Sequence, residues 1–254
     1  MSPPSTREVG LMTQGIYKIL SNVKIARDVY EMVLAGDTSA ITAPGQFINI
    51  KIEGLYLRRP ISICDWDAET ITILYKTVGE GTYRLAEMEA GKTLDILVGL
   101  GNGFDVTKGG ENPLLVGGGV GTPPMYGLCK KLLAMGKKPT VILGFASKDD
   151  VLYEEKFKAL GVPVLVATAD GSYGIKGFVT TAMEGVDFSY FYTCGPIPML
   201  KALYDATEKS GELSFEERMG CGFGACMGCT CKTKYGNKRI CRDGPVLAKE
   251  EIIW

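Results

Sequence analysis

Histidine is absent from all 254 residues of the chain. Its absence removes Ser-His-Asp and Cys-His hydrolysis, His-ligated zinc and the imidazole general base. A bound cofactor is left as the natural carrier of chemistry. Net charge is nearly absent too: 28 basic against 29 acidic residues give −1, which is no electrostatic footprint for nucleic acid. No apolar run approaches the roughly 20 residues of a membrane span, and the opening MSPPSTREVGLMTQG lacks the apolar core of a secretory leader. We therefore expect a cytoplasmic protein, whose surroundings keep thiols reduced and make disulfides rare. Against that background eight cysteines are abundant, and five of them lie between positions 221 and 241.

A chain of 254 residues is long for one compact domain, so two of ordinary size are the better expectation. The 46% hydrophobic content can bury a large core. Up to about residue 100, runs such as GIYKILSNVKIA, VYEMVLAG, GQFINIKI, RPISICDW and TITILYKTVG are rich in β-branched and aromatic residues. They predict a small antiparallel barrel or sandwich, interrupted by one short helix in TYRLAEMEA. The rhythm then changes. NPLLVGGGVGTPPMYGLCKKLLAMG reads as a buried strand, a glycine turn and an amphipathic helix, and PTVILGFAS, VPVLVATAD and FSYFYTCGP add strands with helical segments between them. That alternation predicts a parallel sheet covered on both faces. The expected units are a barrel over 1–104, an α/β domain over 105–216 and a small cysteine-rich unit over 217–254.

Cys221, Cys226, Cys229 and Cys241 give C-x4-C-x2-C, eleven residues, then C, the plant-type spacing for a [2Fe–2S] cluster held by four thiolates. Glycines 220, 222, 224 and 228 let the backbone wrap closely and bring N–H groups to the sulfurs. A four-thiolate zinc site is the alternative, although zinc ribbons usually show two C-x-x-C pairs and only Cys226 with Cys229 makes one here. Disulfides are the third reading. Cys231 fits none of these neatly. A shifted register starting at Cys226 would put the ligand after Cys231 on Lys234, and pairing Cys231 with Cys229 leaves no loop to wrap a cluster. We expect Cys231 to point away from the metal. Cys64, Cys129 and Cys194 stand in apolar runs as small packing residues.

In LLVGGGVGTPPM an apolar strand enters a glycine turn, and a helix with proline in its first turn follows. Gly119 and Gly121 would let the backbone approach a pyrophosphate, favoured at a helix N-terminus. FYTCGPIPML ends another strand at Cys194-Gly195, leaving room for a flat ring at the sheet's carboxyl edge. In the barrel half, LRRPISI and GEGTYRL stand out. Arg59 can neutralise phosphate, Ser62 can hydrogen-bond a ring edge or ribitol, and Gly81 and Thr82 open a helix toward an anion. Either motif alone reads as a solvated arginine or an ordinary cap; together, ahead of a nucleotide domain, they favour a flavin.

The R-P-x-S strand, the G-x-G-T helix start, the GGGVGTPP turn and the C-G-P strand end resemble the ferredoxin–NADP reductase superfamily. With CGFGACMGCTCKT…CRDGPVL added, the chain more narrowly resembles the electron-transfer subunits of class 1B dihydroorotate dehydrogenases, from about Tyr17 to the C-terminus. The resemblance implies FAD on Arg59, Pro60, Ile61 and Ser62, on Leu74, Tyr75 and Lys76, and on Gly81 and Thr82. It implies NAD across the turn carrying Gly117, Gly119, Gly121 and Thr122, with Cys194 and Gly195 near the nicotinamide. The cluster ligands would be Cys221, Cys226, Cys229 and Cys241. It further implies an FMN-containing catalytic partner, commonly in a heterotetramer, and a place in pyrimidine biosynthesis.

NADH carries two electrons as a hydride and a [2Fe–2S] centre takes one at a time, so a flavin between them would divide the pair. The expected order is partner FMN, cluster, FAD, nicotinamide, with no side-chain base needed at the nicotinamide end. Asp149 and Asp150, after the second strand of the α/β domain, would suit a free ribose and repel a 2′-phosphate. A related reductase acting on ferredoxin or a sulfur compound is the alternative with the same modules, and a redox sensor or zinc-stabilised interaction protein the alternative from another class. The loop at 223–227 is expected to be exposed in the isolated chain and covered by the partner.

Overall fold

The computed structural model describes residues 11–254; most of the N-terminal segment read above as lacking a leader lies outside them. Six strands close into an antiparallel barrel: β1 (Thr13–Ala26), β2 (Val29–Ala35), β3 (Phe47–Ile50), β4 (Arg59–Trp66), β5 (Thr70–Lys76) and β6 (Thr93–Leu100), in the order β1-β2-β5-β4-β3-β6. Alternation sets the barrel's inside: on β1, Tyr17 and Ile19 are buried while Ile16 and Leu20 face out. Their inward partners include Met32, Ile48, Ile50 and Ile73. A short helix α1 (Glu80–Ala86) follows β5.

The second half is a seven-stranded sheet in the order β10-β9-β8-β7-β11-β12-β15. Its strands are β7 (Pro113–Gly118), β8 (Thr140–Phe145), β9 (Val164–Thr168), β10 (Ile175–Lys176), β11 (Tyr190–Cys194), β12 (Gly211–Ser214) and β15 (Val246–Ala248). The helices α2 (Thr122–Ala134), α3 (Glu154–Ala159), α4 (Val179–Ala182) and α5 (Ile197–Ala206) connect them. All neighbours are parallel except β12 with β15. β7 is buried along its whole length, as a strand covered on both faces must be.

The cysteine-rich tail carries the hairpin β13 (Thr230–Thr233) with β14 (Gly236–Arg239) and then supplies β15. The tail from 217 onward is thus stitched into the α/β sheet: β15 covers the edge that β12 would otherwise expose. The barrel and the sheet also share a core, in which Val29, Cys64 and Leu74 pack with Leu115, Met125 and Leu128. At Gly127 of α2 a Cβ would stand 2.5 Å from the Cys64 carbonyl, so the helix lies directly on β4.

Candidate functional site

A cleft of about 730 Å³ runs between the barrel and the carboxyl ends of the sheet strands. Its barrel wall contains Arg59, Pro60, Ile61 and Ser62 of β4, Leu74, Tyr75 and Lys76 of β5, and Gly81 and Thr82 of α1. The sheet wall contains Gly119 and Gly121 from the turn after β7, and Cys194 and Gly195 from the end of β11. Residues dispersed over 137 positions therefore face one cavity. Gly117 and Thr122, expected in the same turn, lie beneath it: a Cβ on Gly117 would meet the Thr122 Cα at 2.8 Å, and Thr122 is fully buried.

Two positive features meet on the barrel wall. A Cβ on Gly81 would sit 2.0 Å from Arg59 Nε, so only a bare backbone lets the guanidinium lie against the start of α1. Arg59 is steadied by donating to the Leu57 carbonyl. Thr82 Oγ1 accepts from the Val78 and Gly79 N–H groups at 2.9 and 3.2 Å and donates to the Gly79 carbonyl. A guanidinium beside free helical N–H groups is a site for a phosphate, and the apolar stretch of Ile61, Leu74 and Tyr75 next to it suits a flat ring. FAD fits this half of the cleft.

On the sheet wall Gly121 presses against β11, where a Cβ would lie 2.3 Å from the Cys194 carbonyl. Gly119 has φ +52 and open space around it, so the backbone at the start of α2 can be approached by a pyrophosphate. Burial pushes the Cys194 thiol up to about 12, against the hydrogen bond with Ser214 and with a smaller contribution from Glu216. It is a neutral group at physiological pH. NAD fits this half.

The tail brings its thiols together in two pairs, Cys221 with Cys226 and Cys229 with Cys241, with Cys221 also within electrostatic reach of Cys241. Backbone N–H groups donate to the sulfurs: Cys226 to Cys221 Sγ at 3.4 Å, Gly228 to Cys226 Sγ at 3.5 Å, and Cys241 to Cys229 Sγ at 3.4 Å. Burial raises the Cys221 thiol, but the N–H groups of Cys226 and Phe223, with the Cys226 thiol and the Ala225 N–H, outweigh it and bring it down to about 6. Burial and the adjacent Cys229 thiol push Cys241 the other way. Among the described residues no three His, Cys, Asp or Glu side chains converge on a single ion. Two thiol pairs suit a cluster whose two irons each take two thiolates, whereas one tetrahedral zinc needs all four at one centre. Cys231 sits on β13 opposite Lys238, and its electrostatic neighbours are Glu217, Glu251 and Lys238.

Phe47 was not among the expected site residues. It lines the cleft and packs in the same apolar cluster as Cys229 and Cys241. All four residues of β3 are buried, so the alternation that marks an outward face is missing from FINI. Arg27 was missed as well; it stands on the cleft rim from the β1–β2 turn.

A closed antiparallel barrel joined by a shared cleft to an open parallel sheet is the ferredoxin reductase-like fold. A family model described as the iron-sulfur cluster binding domain of dihydroorotate dehydrogenase B matches residues 216–253, and one described as an oxidoreductase NAD-binding domain matches 115–205. The dihydroorotate dehydrogenase B (NAD(+)) electron transfer subunit of Shouchella clausii (strain KSM-K16) is 46% identical over 94% of this chain and 98% of its own. That of Bacillus pumilus (strain SAFR-032) is 47% identical over 95% and 98%. Among solved structures, that of an NADH-dependent reduced ferredoxin-NADP oxidoreductase superposes with a TM-score of 0.86 at 31% identity, over 94% of this chain and 90% of that one. Phthalate dioxygenase reductase shares the fold, with a TM-score of 0.62 at 19% identity over 76% of this chain and 64% of that one. The chain belongs to the family of dihydroorotate dehydrogenase B electron transfer subunits.

Proposed function

We propose that this chain carries electrons between a dihydroorotate-oxidising catalytic subunit and NAD+ in pyrimidine biosynthesis, as the NAD-reducing part of an oxidoreductase. FAD, a [2Fe–2S] cluster and NAD are its cofactors. The observation that carries the reading is Phe47, which lines the cleft and belongs to the apolar cluster that includes Cys229 and Cys241. Flavin and cluster sites thus adjoin the same apolar core.

When bound, the flavin exchanges a hydride with the nicotinamide and single electrons with the cluster. The chain's own residues bind and orient. Arg59 and the N–H groups at Gly81 and Thr82 hold the flavin's phosphates, Pro60, Ile61 and Ser62 with Leu74, Tyr75 and Lys76 line its ring and ribitol, and Gly119 and Gly121 admit the pyrophosphate of NAD. Gly117 and Thr122 shape that turn from below, while Cys194 and Gly195 border the nicotinamide. Cys221, Cys226, Cys229 and Cys241 ligate the cluster. As functional units we take a flavin barrel over 1–104, an NAD domain over 105–216 and a cluster unit over 217–254, the last lending β15 to the α/β sheet.

The catalytic partner carries FMN and assembles with this chain as a heterotetramer. Phe223 is 45% and Met227 59% exposed beside the thiols, apolar surface that a partner would cover. No helix of the described residues is long and apolar enough to cross a membrane, and eight unpaired thiols suit the cytoplasm.

The test is anaerobic co-purification with the native catalytic subunit, followed by an assay for orotate formation coupled to NAD+ reduction. Flavin and [2Fe–2S] absorption with acid-labile sulfide are expected; zinc without sulfide would sink the reading. Electron transfer to ferredoxin instead of the catalytic subunit would favour the related reductase, whose solved relative shares this chain's whole architecture.

A further inference from the structure

We propose that Asn49 is a positioning residue for the cluster: from the flavin-binding strand pair it grips the Cys221 carbonyl and fixes the cluster loop against the flavin. This rests on the cofactor assignment above. On β3, Ile48 and Ile50 point into the barrel core, so Phe47 and Asn49 share the opposite face. Asn49 is 1% exposed, and its Nδ2 donates to the Cys221 carbonyl at 3.1 Å.

The anchor for this contact is firm. Asn49 pairs with Pro60 on the flavin side and Leu97 on the other. Arg58 Nη1 donates to the Asn49 carbonyl at 3.3 Å and to the Asp95 carbonyl at 3.0 Å, while Nη2 holds the Asp95 carboxylate at 2.9 Å. The loop is shaped around the amide: Gly222 has φ +79, and a Cβ there would come within 2.3 Å of Asn49 Nδ2. One strand face therefore adjoins the cluster unit twice: Asn49 holds the Cys221 carbonyl, and Phe47 belongs to the apolar cluster that includes Cys229 and Cys241.

The amide's other end indicates what it is for. Asn49 Oδ1 is buried and accepts no hydrogen bond within the described chain. An orphaned buried acceptor costs about 1–3 kcal/mol, whereas an apolar side chain of the same shape avoids that penalty. Packing of the barrel strand alone therefore gives no reason for an amide here. The donor to Cys221 is what asparagine adds, and groups that orient metal ligands tune the metal they hold.

The test compares Asn49→Leu with the parent holoprotein, purified anaerobically. Iron and acid-labile sulfide in the parent decide the cofactor assignment first, and a parent lacking them overturns both. In the variant, FAD content and the rate at which NADH reduces FAD should equal the parent's. Bleaching of the cluster after flavin reduction, followed by stopped flow, should slow by roughly 10-fold, with an altered EPR spectrum of the reduced cluster. Selective loss of iron with FAD retained supports the proposal equally. An unchanged bleaching rate and spectrum overturn it. So does joint loss of FAD and iron, or failure of both Asn49→Leu and Asn49→Ser to fold, because either outcome assigns Asn49 to barrel packing.

Discussion

The guanidinium of Arg27 lies 3.2 Å from the Asp149 carboxylate and 3.8 Å from that of Asp150, tying the β1–β2 turn of the barrel to the segment after β8. The acidic pair expected to face a ribose is thus held from the opposite domain. Asp150 lines the cleft and also accepts from the Ser147 N–H and hydroxyl at 3.2 and 2.8 Å. Asp149, with a side chain 77% exposed, stands outside it.

Cofactor choice should accordingly depend on Asp150 more than on Asp149. Asp150→Asn keeps the acceptor for Ser147 and removes the charge. The NADPH-to-NADH ratio of kcat/KM should rise roughly tenfold, or about 1.4 kcal/mol, between the ~1 kcal/mol of two unit charges 4 Å apart in water and the ~4 kcal/mol near a protein surface. Asp149→Asn should move it less. Arg27→Ala should change the unfolding free energy by less than about 1 kcal/mol, since its pairs with these carboxylates are largely solvated. Equal shifts from the two aspartate variants would place the ribose elsewhere.

The register of the cluster can be read from single substitutions. Cys229→Ser should abolish iron and acid-labile sulfide, because a buried member of a thiol pair is lost. Cys231→Ser should leave both intact, since Cys231 sits on the hairpin strand among Glu217, Glu251 and Lys238. Iron analysis checks both variants, and the reverse pattern would mean that Cys231 is a ligand.

Flavin retention should respond to the Arg59–Gly81 contact. Arg59→Ala removes a charge-assisted hydrogen bond worth about 1.5–3 kcal/mol, so FAD affinity should fall by roughly 10- to 100-fold. Gly81→Ala should act in the same direction by displacing the guanidinium, whose Nε would stand 2.0 Å from the new Cβ. Equilibrium dialysis of FAD measures both; full affinity in Arg59→Ala would place the phosphates away from this wall.

Alkaline stability should carry the signature of the buried packing thiols. Burial pushes Cys64 up to about 12, with Tyr153 opposing and Asp65 and Glu31 adding, and burial alone pushes Cys129 up to about 12. An unfolded thiol ionises near pH 8.5. Above that pH the unfolded chain releases protons that the folded chain keeps, so the stability these thiols contribute is complete below about 8.5 and is lost as pH rises toward 12. The melting temperature should therefore drop between pH 7 and pH 10, and drop less in Cys129→Ala. Equal drops in parent and variant would show that Cys129 does not titrate in this way.

Local chemistry carried far in this chain. The β-branched and aromatic runs of the barrel strands, the wholly apolar β7, the glycine turn after it and the spacing of four cysteines are each properties of neighbouring residues, and so barrel, sheet, nucleotide turn and cluster loop were legible without a structure. The expectation that Cys231 points away from the metal rests on the same grounds, since ligand spacing is a property of the loop itself. What spacing cannot express is the meeting of segments far apart in the chain. Asn49 and Cys221 are separated by 172 positions, and nothing in FINI marks its outward face, because all four of its residues are buried. Arg27 bonds across the domain junction to carboxylates whose local context suggested only a ribose. The tail's β15 completes the sheet because the edge of β12 lies open to it. The sequence determined the cofactors through short-range geometry. Tertiary packing decided how their sites adjoin, because buried hydrogen bonds and shared apolar walls form only once distant strands are brought together.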